Sequence, residues 1–108
     1  MAEKTSLGIP ENIEALLCYV LGWITGLIFI LIEKENKFVR FHAFQSLITF
    51  LSFMVIMFIF MFIPLLGWIM IIFLYIGAFF FWVIGMVKAY QKEKFKFPLV
   101  GDIVEKYI

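Results

Sequence analysis

The chain has 108 residues and a net charge of +1; 65% of its residues are hydrophobic and only 16% are charged. A soluble domain this short leaves too much surface facing water to hide that much hydrocarbon, so lipid must be part of its solvent. A single cysteine, Cys18, and a single histidine, His42, exclude an internal disulfide and an ordinary zinc site within one copy, and the near-neutral total gives no argument for a nucleic-acid partner.

In chain order, the first uncharged stretch runs from Ala15 to Ile32 and predicts one membrane-crossing helix over 14–32. The preceding segment, MAEKTSLGIPENIE, carries three acids against one lysine, and no small-residue cleavage site follows the apolar run. That argues for a retained helix over a signal peptide. Gly22 and Gly26, four apart in GWITG, have the spacing that lets two helices approach closely.

Residues 33–40, EKENKFVR, mix both signs and read as a solvated turn that fixes orientation. Lys34, Lys37 and Arg40 could instead hold anionic lipid or a partner's carboxylate.

From Phe41 to Val87 there are 47 residues without one Asp, Glu, Lys or Arg, too many for one crossing and right for two. Pro64 and Gly67 in IPLLGW supply the break, giving helices over 41–63 and 65–87. Strands are the competing assignment. FMVIMFIFMFI shows no polar–apolar alternation, three strands cannot close a barrel, and helices satisfy their own backbone in lipid.

The second helix opens with RFHAFQSLITF. His42, Gln45, Ser46 and Thr49 fall within a sector about 100° wide on the helical wheel. Two readings stand: the wet end of a helix meeting headgroups or bonding to a neighbour, or a polar vestibule lined by His42 and Gln45. Their shallow position favours the first. Gly77 and Gly85 on the third helix are further packing candidates, and Trp68 and Tyr90 fit the interfacial aromatic belt.

The tail, KEKFKFPLVGDIVEKYI, predicts an amphipathic helix over 98–108 with Pro98 in its first turn. It could lie on the membrane surface with Lys92, Lys94 and Lys96 on anionic headgroups, or dock on a second copy or a partner protein. Three crossings place every Lys and Arg except Lys4 on one face. The positive-inside rule then predicts a multi-pass cell-membrane protein with an outside N-terminus and a cytoplasmic C-terminus. The fold class expected is all-α and polytopic: three transmembrane helices and a C-terminal amphipathic interfacial helix.

Leu21-Gly22-Trp23, Glu33-Lys34-Glu35-Asn36, Phe38-Val39-Arg40-Phe41-His42-Ala43, Gln45-Ser46 and the tail's Pro98 and Gly101 carry a further signal. Over nearly its whole length the chain resembles small uncharacterised prokaryotic membrane proteins of an archaeal type, related to the Tic-twenty-like import component of the plastid inner envelope. The resemblance implies that loop and stripe act together. It points to protein import in plastid members, which have four spans, and to magnetosome membranes in others. It assigns no catalytic residue.

No phosphate loop, intramembrane carboxylate pair or activated nucleophile is visible, so neither an enzyme nor a cofactor is expected. The expected function is a non-enzymatic scaffold or translocation accessory that forms homo-oligomers in the bilayer. The alternative is a small oligomeric channel or carrier with its vestibule on the second helix.

Overall fold

The computed structural model describes residues 7–107, excluding the side chain of Tyr107; Lys4 and Ile108 lie outside that range. The described residues form five helices: α1 (Glu11–Val20), α2 (Trp23–Ile32), α3 (Lys37–Phe60), α4 (Leu66–Tyr90) and α5 (Val100–Tyr107). They make a rod of 50 × 22 × 22 Å.

The two long helices are where the sequence predicted them. With 24 and 25 residues, α3 and α4 are about 36 and 37 Å long at 1.5 Å per residue, enough for a hydrocarbon core of ~30 Å. They turn back on each other around Pro64. Gly67 permits the tight turn, since a Cβ there would collide with the Phe60 carbonyl.

The first predicted helix is different. A continuous helix over 14–32 is replaced by two ten-residue helices, α1 and α2, broken at Leu21-Gly22. Gly22 adopts φ 64°, a left-handed conformation that glycine enters without a Cβ penalty. The chain then reverses. Asn36 Nδ2 donates to Glu11 Oε1 at 3.0 Å, and Asn12 Nδ2 donates to the Tyr90 carbonyl at 3.1 Å. A straight helix of this length would hold its two ends roughly 30 Å apart. Instead the start of α1, the 33–36 turn and the end of α4 meet at one end of the rod, with the α1–α2 tip beside Ser46 and Phe50.

This corrects the continuous first helix on which the three-crossing reading rests. Ten helical residues rise about 15 Å, half of what a crossing needs. The start of α1 stands beside the C-terminal tail, where three crossings would place it at the opposite end.

A reversal inside an apolar segment frees backbone groups that lipid cannot satisfy. Side chains from three helices meet them. Thr25 Oγ1 accepts from Leu21 N–H at 3.2 Å and donates to the Cys18 carbonyl at 3.0 Å. Trp82 Nε1 donates to the Val20 carbonyl at 3.3 Å, and Ser46 Oγ to the Gly22 carbonyl at 2.9 Å.

The charged turn is equally specified. Asn36 caps α3 by accepting from Val39 N–H at 2.9 Å, and Glu33 Oε2 accepts from the N–H groups of Glu35 and Asn36. Arg40 reaches back to the α2 terminus and donates to the carbonyls of Ile30 (3.1 Å) and Glu33 (2.8 Å).

Candidate functional site

The polar stripe of α3 lies inside the base of the rod. His42, Gln45 and Ser46 have no exposed surface, and Thr49 is 4% exposed. What covers them is α1, the tip of its hairpin and an extended strap, residues 92–99, which leaves the end of α4 and runs back along α3.

The wiring can be read atom by atom. His42 Nε2 lies 3.2 Å from the Glu93 carbonyl, which can only accept, so Nε2 carries the proton. Nδ1 is then the acceptor, and the Tyr19 hydroxyl 2.6 Å away donates to it. Gln45 Nε2 donates to Tyr19 Oη at 3.1 Å and to the Phe95 carbonyl at 2.9 Å, while its Oε1 accepts from Phe97 N–H at 2.8 Å. Two side chains, His42 and Gln45, thus hold the backbone of the strap at Glu93, Phe95 and Phe97, and Tyr19 bridges them. Phe38, Phe41 and Tyr19 pack edge-on around the imidazole.

Both imidazole nitrogens are therefore engaged, and the stripe is buried in contact with α1 and the strap. Thr49 is the exception: its hydroxyl has no hydrogen-bond partner among the described residues. No group of three His, Cys, Asp or Glu side chains that could hold a metal stands together among the described residues.

The basic candidates divide. Arg40 caps α2. Lys94 and Lys96 pair with Glu105 at 3.3 and 2.5 Å, and Lys96 with Asp102 at 3.7 Å, fastening α5 to the strap. The hydrogen bond from Lys96, aided by Lys94, holds the Glu105 carboxyl below its ordinary range; the same bond raises Lys96. Lys34, Lys37 and Lys92 lie at the same end, on the turn, at the first residue of α3 and at the start of the strap. The tail helix starts at Val100 rather than Pro98 and turns Val104 onto α3, leaving Leu99 and Ile103 exposed.

The four packing glycines have unlike roles. A Cβ at Gly26 would sit 2.8 Å from the Ala43 carbonyl oxygen, and one at Gly85 would sit 2.7 Å from the Tyr19 ring, so both permit close approach within the chain. Gly22 makes the turn. Gly77 has ordinary room, with Phe53 at 3.8 Å.

Sequence reasoning passed over Tyr19, the centre of the network, although a phenol in a hydrocarbon stretch needs a hydrogen-bond partner. It also passed over Thr25 and Trp82, whose partners exist only because the helix breaks.

Residues 10–104 match the magnetosome magnetite crystal formation protein family. The chain belongs to that family. Two UPF0132 membrane proteins of Methanocaldococcus jannaschii are similar to it. One is 52% identical over 104 residues, covering 96% of this chain and 94% of the relative; the other is 50% identical over 102 residues, covering 94% and 73%. A UPF0132 membrane protein of Archaeoglobus fulgidus is 48% identical over 100 residues, covering 93% and 97%. No solved structure matches the chain. This is a small all-helical protein of an uncharacterised membrane family, with two helices long and apolar enough to cross a bilayer.

Proposed function

We propose that the chain is a non-enzymatic membrane scaffold that crosses the bilayer twice, through α3 and α4, with α1–α2 as a re-entrant hairpin in the cytoplasmic leaflet. Every Lys and Arg of the described residues lies at the base, and the 61–65 turn has none. That asymmetry supports a cytoplasmic base with both ends of the described chain on that side.

The observation that carries the scaffold reading is how the polar groups are spent. Tyr19, His42, Gln45 and Ser46 bond to the chain's own backbone and to each other, so they offer a solute no lining. What remains for other molecules is the apolar flank of the α3–α4 stalk, where Phe58, Phe62, Ile72 and Phe73 are each more than half exposed. In a bilayer such a flank takes lipid or a like surface, and the reading assigns it to self-association. Kinship with the Tic-twenty-like component would fit the same role, since the residues behind that resemblance form the turn and stripe that hold the base together.

The test is copy number in membranes. Cysteines placed at Phe58 and Ile72, in a Cys18→Ser background, should form inter-copy crosslinks at native density, and liposomes holding the pure protein should pass no ions. A strictly monomeric protein, or ion flux abolished by His42→Ala, would refute the scaffold reading.

A further inference from the structure

The outward face of α4 carries one polar group that its own chain leaves alone. Between Phe50 and Met86 the polar side chains are Ser52, Trp68, Tyr75 and Trp82. Both indoles donate to backbone carbonyls, Trp68 to that of Met61 and Trp82 to that of Val20. Ser52 is short enough to bond back to a carbonyl of its own helix. Tyr75 is not, because its hydroxyl stands at the far end of the ring. The residue is 64% exposed and makes no hydrogen bond among the described residues.

Tyr75 also stands far from every charge. It lies nine residues from the Leu66 end of α4, about 13 Å along the axis. In the other direction, Gly77 faces the Phe53 ring, while Lys96 and Asp102 pair beside Gly101, which meets Gln45. Eight residues of α3 and two of α4 then set that charged layer about 15 Å below Tyr75. With the bilayer edge drawn at Lys96 and Asp102, the two distances together nearly fill a hydrocarbon core of ~30 Å, and Tyr75 sits at its middle.

A phenol there needs a hydrogen-bond partner, and hydrocarbon supplies none. Water and the ester oxygens of lipids stay at the interface, beyond the reach of the side chain. A second copy has no such limit. Copies inserted the same way round are related by an axis along the membrane normal, so their Tyr75 residues share one depth.

The surroundings fit a helix as partner. Trp68, Ile72, Tyr75 and Phe79 follow at spacings of four, three and four, the seam of two helices crossing at about 20°. Each of the four is more than half exposed. Lower on α4, α1 covers the helix, with Tyr19 against Gly85 and Val20 bonded to Trp82. Since α1 ends at Val20, the seam above it is open.

From these observations we propose that α4 pairs with α4 of a second copy along Trp68, Ile72, Tyr75 and Phe79, the two Tyr75 hydroxyls hydrogen-bonded to each other at the centre. This rests on the self-association reading above and names its face.

The experiment uses the full chain in phosphatidylglycerol liposomes, in a Cys18→Ser background, over a series of protein-to-lipid ratios. Oxidative crosslinking through Ile72→Cys reports the seam. Phe58→Cys reports a different face, since Phe58 lies about 140° round α3 from Phe53, which faces α4. Expected is saturable crosslinking at Ile72→Cys whose midpoint moves to roughly fivefold higher density in Tyr75→Phe, equivalent to about 1 kcal/mol. Crosslinking at Phe58→Cys should not move. In dilute micelles Tyr75→Phe should melt with the parent, because the hydroxyl bonds to nothing in its own chain. An Ile72→Cys midpoint indifferent to Tyr75→Phe, or crosslinks at Phe58→Cys alone, would overturn this face and leave self-association standing. No saturable crosslinking at either position would overturn both.

Discussion

The base and the stalk of the rod are built from the same two helices by different physics. In the base, residues 37–49 of α3 are surrounded by α1, α2, α4 and the strap, and His42, Gln45 and Ser46 are each hydrogen-bonded to another element. Tyr19, Phe41 and Val39 have no exposed surface there. In the stalk, α3 and α4 face outward: Phe58 is 58% and Ile72 61% exposed. Directional hydrogen bonds specify the base, while little but length and hydropathy specifies the stalk. Substitutions in the two regions should therefore differ sharply in cost.

The largest effect is expected at Gly26. A leucine there drives its Cβ against the Ala43 carbonyl and Leu47 nitrogen, which are backbone and cannot swing away. Gly26→Leu should lose about 3 kcal/mol, the upper end for overpacking, or fail to accumulate as folded protein. Unfolding in mixed micelles reads this directly.

Next comes the strap. Gln45→Leu keeps volume but strands Phe97 N–H and the Phe95 carbonyl. A loss of about 2–3 kcal/mol is expected, with rapid proteolysis after Lys92, Lys94 or Lys96 as the strap detaches. Strap cleavage no faster than in the parent would mean that the stripe does not hold the tail.

The stalk should tolerate what the base does not. Phe62→Ala, in lipid, should change monomer stability by no more than about 0.5 kcal/mol, because acyl chains fill the space the ring vacates. A base-like destabilisation would erase the distinction between the two regions.

The smallest effect is pH-dependent docking of α5. Glu105 titrates lower when folded than when free, so its contribution is present above the free carboxylate's range and is lost as pH falls through the folded value. Lys96 titrates higher when folded, so its share is present below its free value and is lost as pH rises through the raised one. Both groups are exposed, and the change should be confined to the tail. Hydrogen-exchange protection in α5, taken relative to the intrinsic rate at each pH, should fall in acid while that of the α3 stripe holds; Glu105→Gln should remove most of that acid response.

Much of this architecture is legible in the sequence, and the limits have physical causes. The 47 uncharged residues interrupted by Pro64 and Gly67 announce α3, its turn and α4. The stripe at 42, 45, 46 and 49 marks the face of α3 that meets other elements. Gly22 and Gly26 are readable as a pair by spacing alone, yet one makes a reversal and the other a close approach, a difference that depends on the backbone angle at Gly22. The strap is harder still. His42 and Gln45 recognise backbone carbonyls and an N–H at residues 93, 95 and 97, and nearly every residue carries such groups, so the charged run KEKFK gives no hint of them. Counting basic residues places the tail correctly relative to the 33–36 turn but sets the start of α1 opposite, because the count assumes that an 18-residue apolar run must cross.

That assumption is tested by labelling single cysteines at Leu7, Leu66 and Lys92, in a Cys18→Ser background, with a membrane-impermeant thiol reagent on sealed right-side-out vesicles. A hairpin that returns to its own side leaves Leu7→Cys and Lys92→Cys silent until the membrane is opened, while Leu66→Cys reacts at once. Immediate labelling at Leu7 with Lys92 still protected would show that the first apolar segment crosses the bilayer, and would contradict the reversal at Gly22.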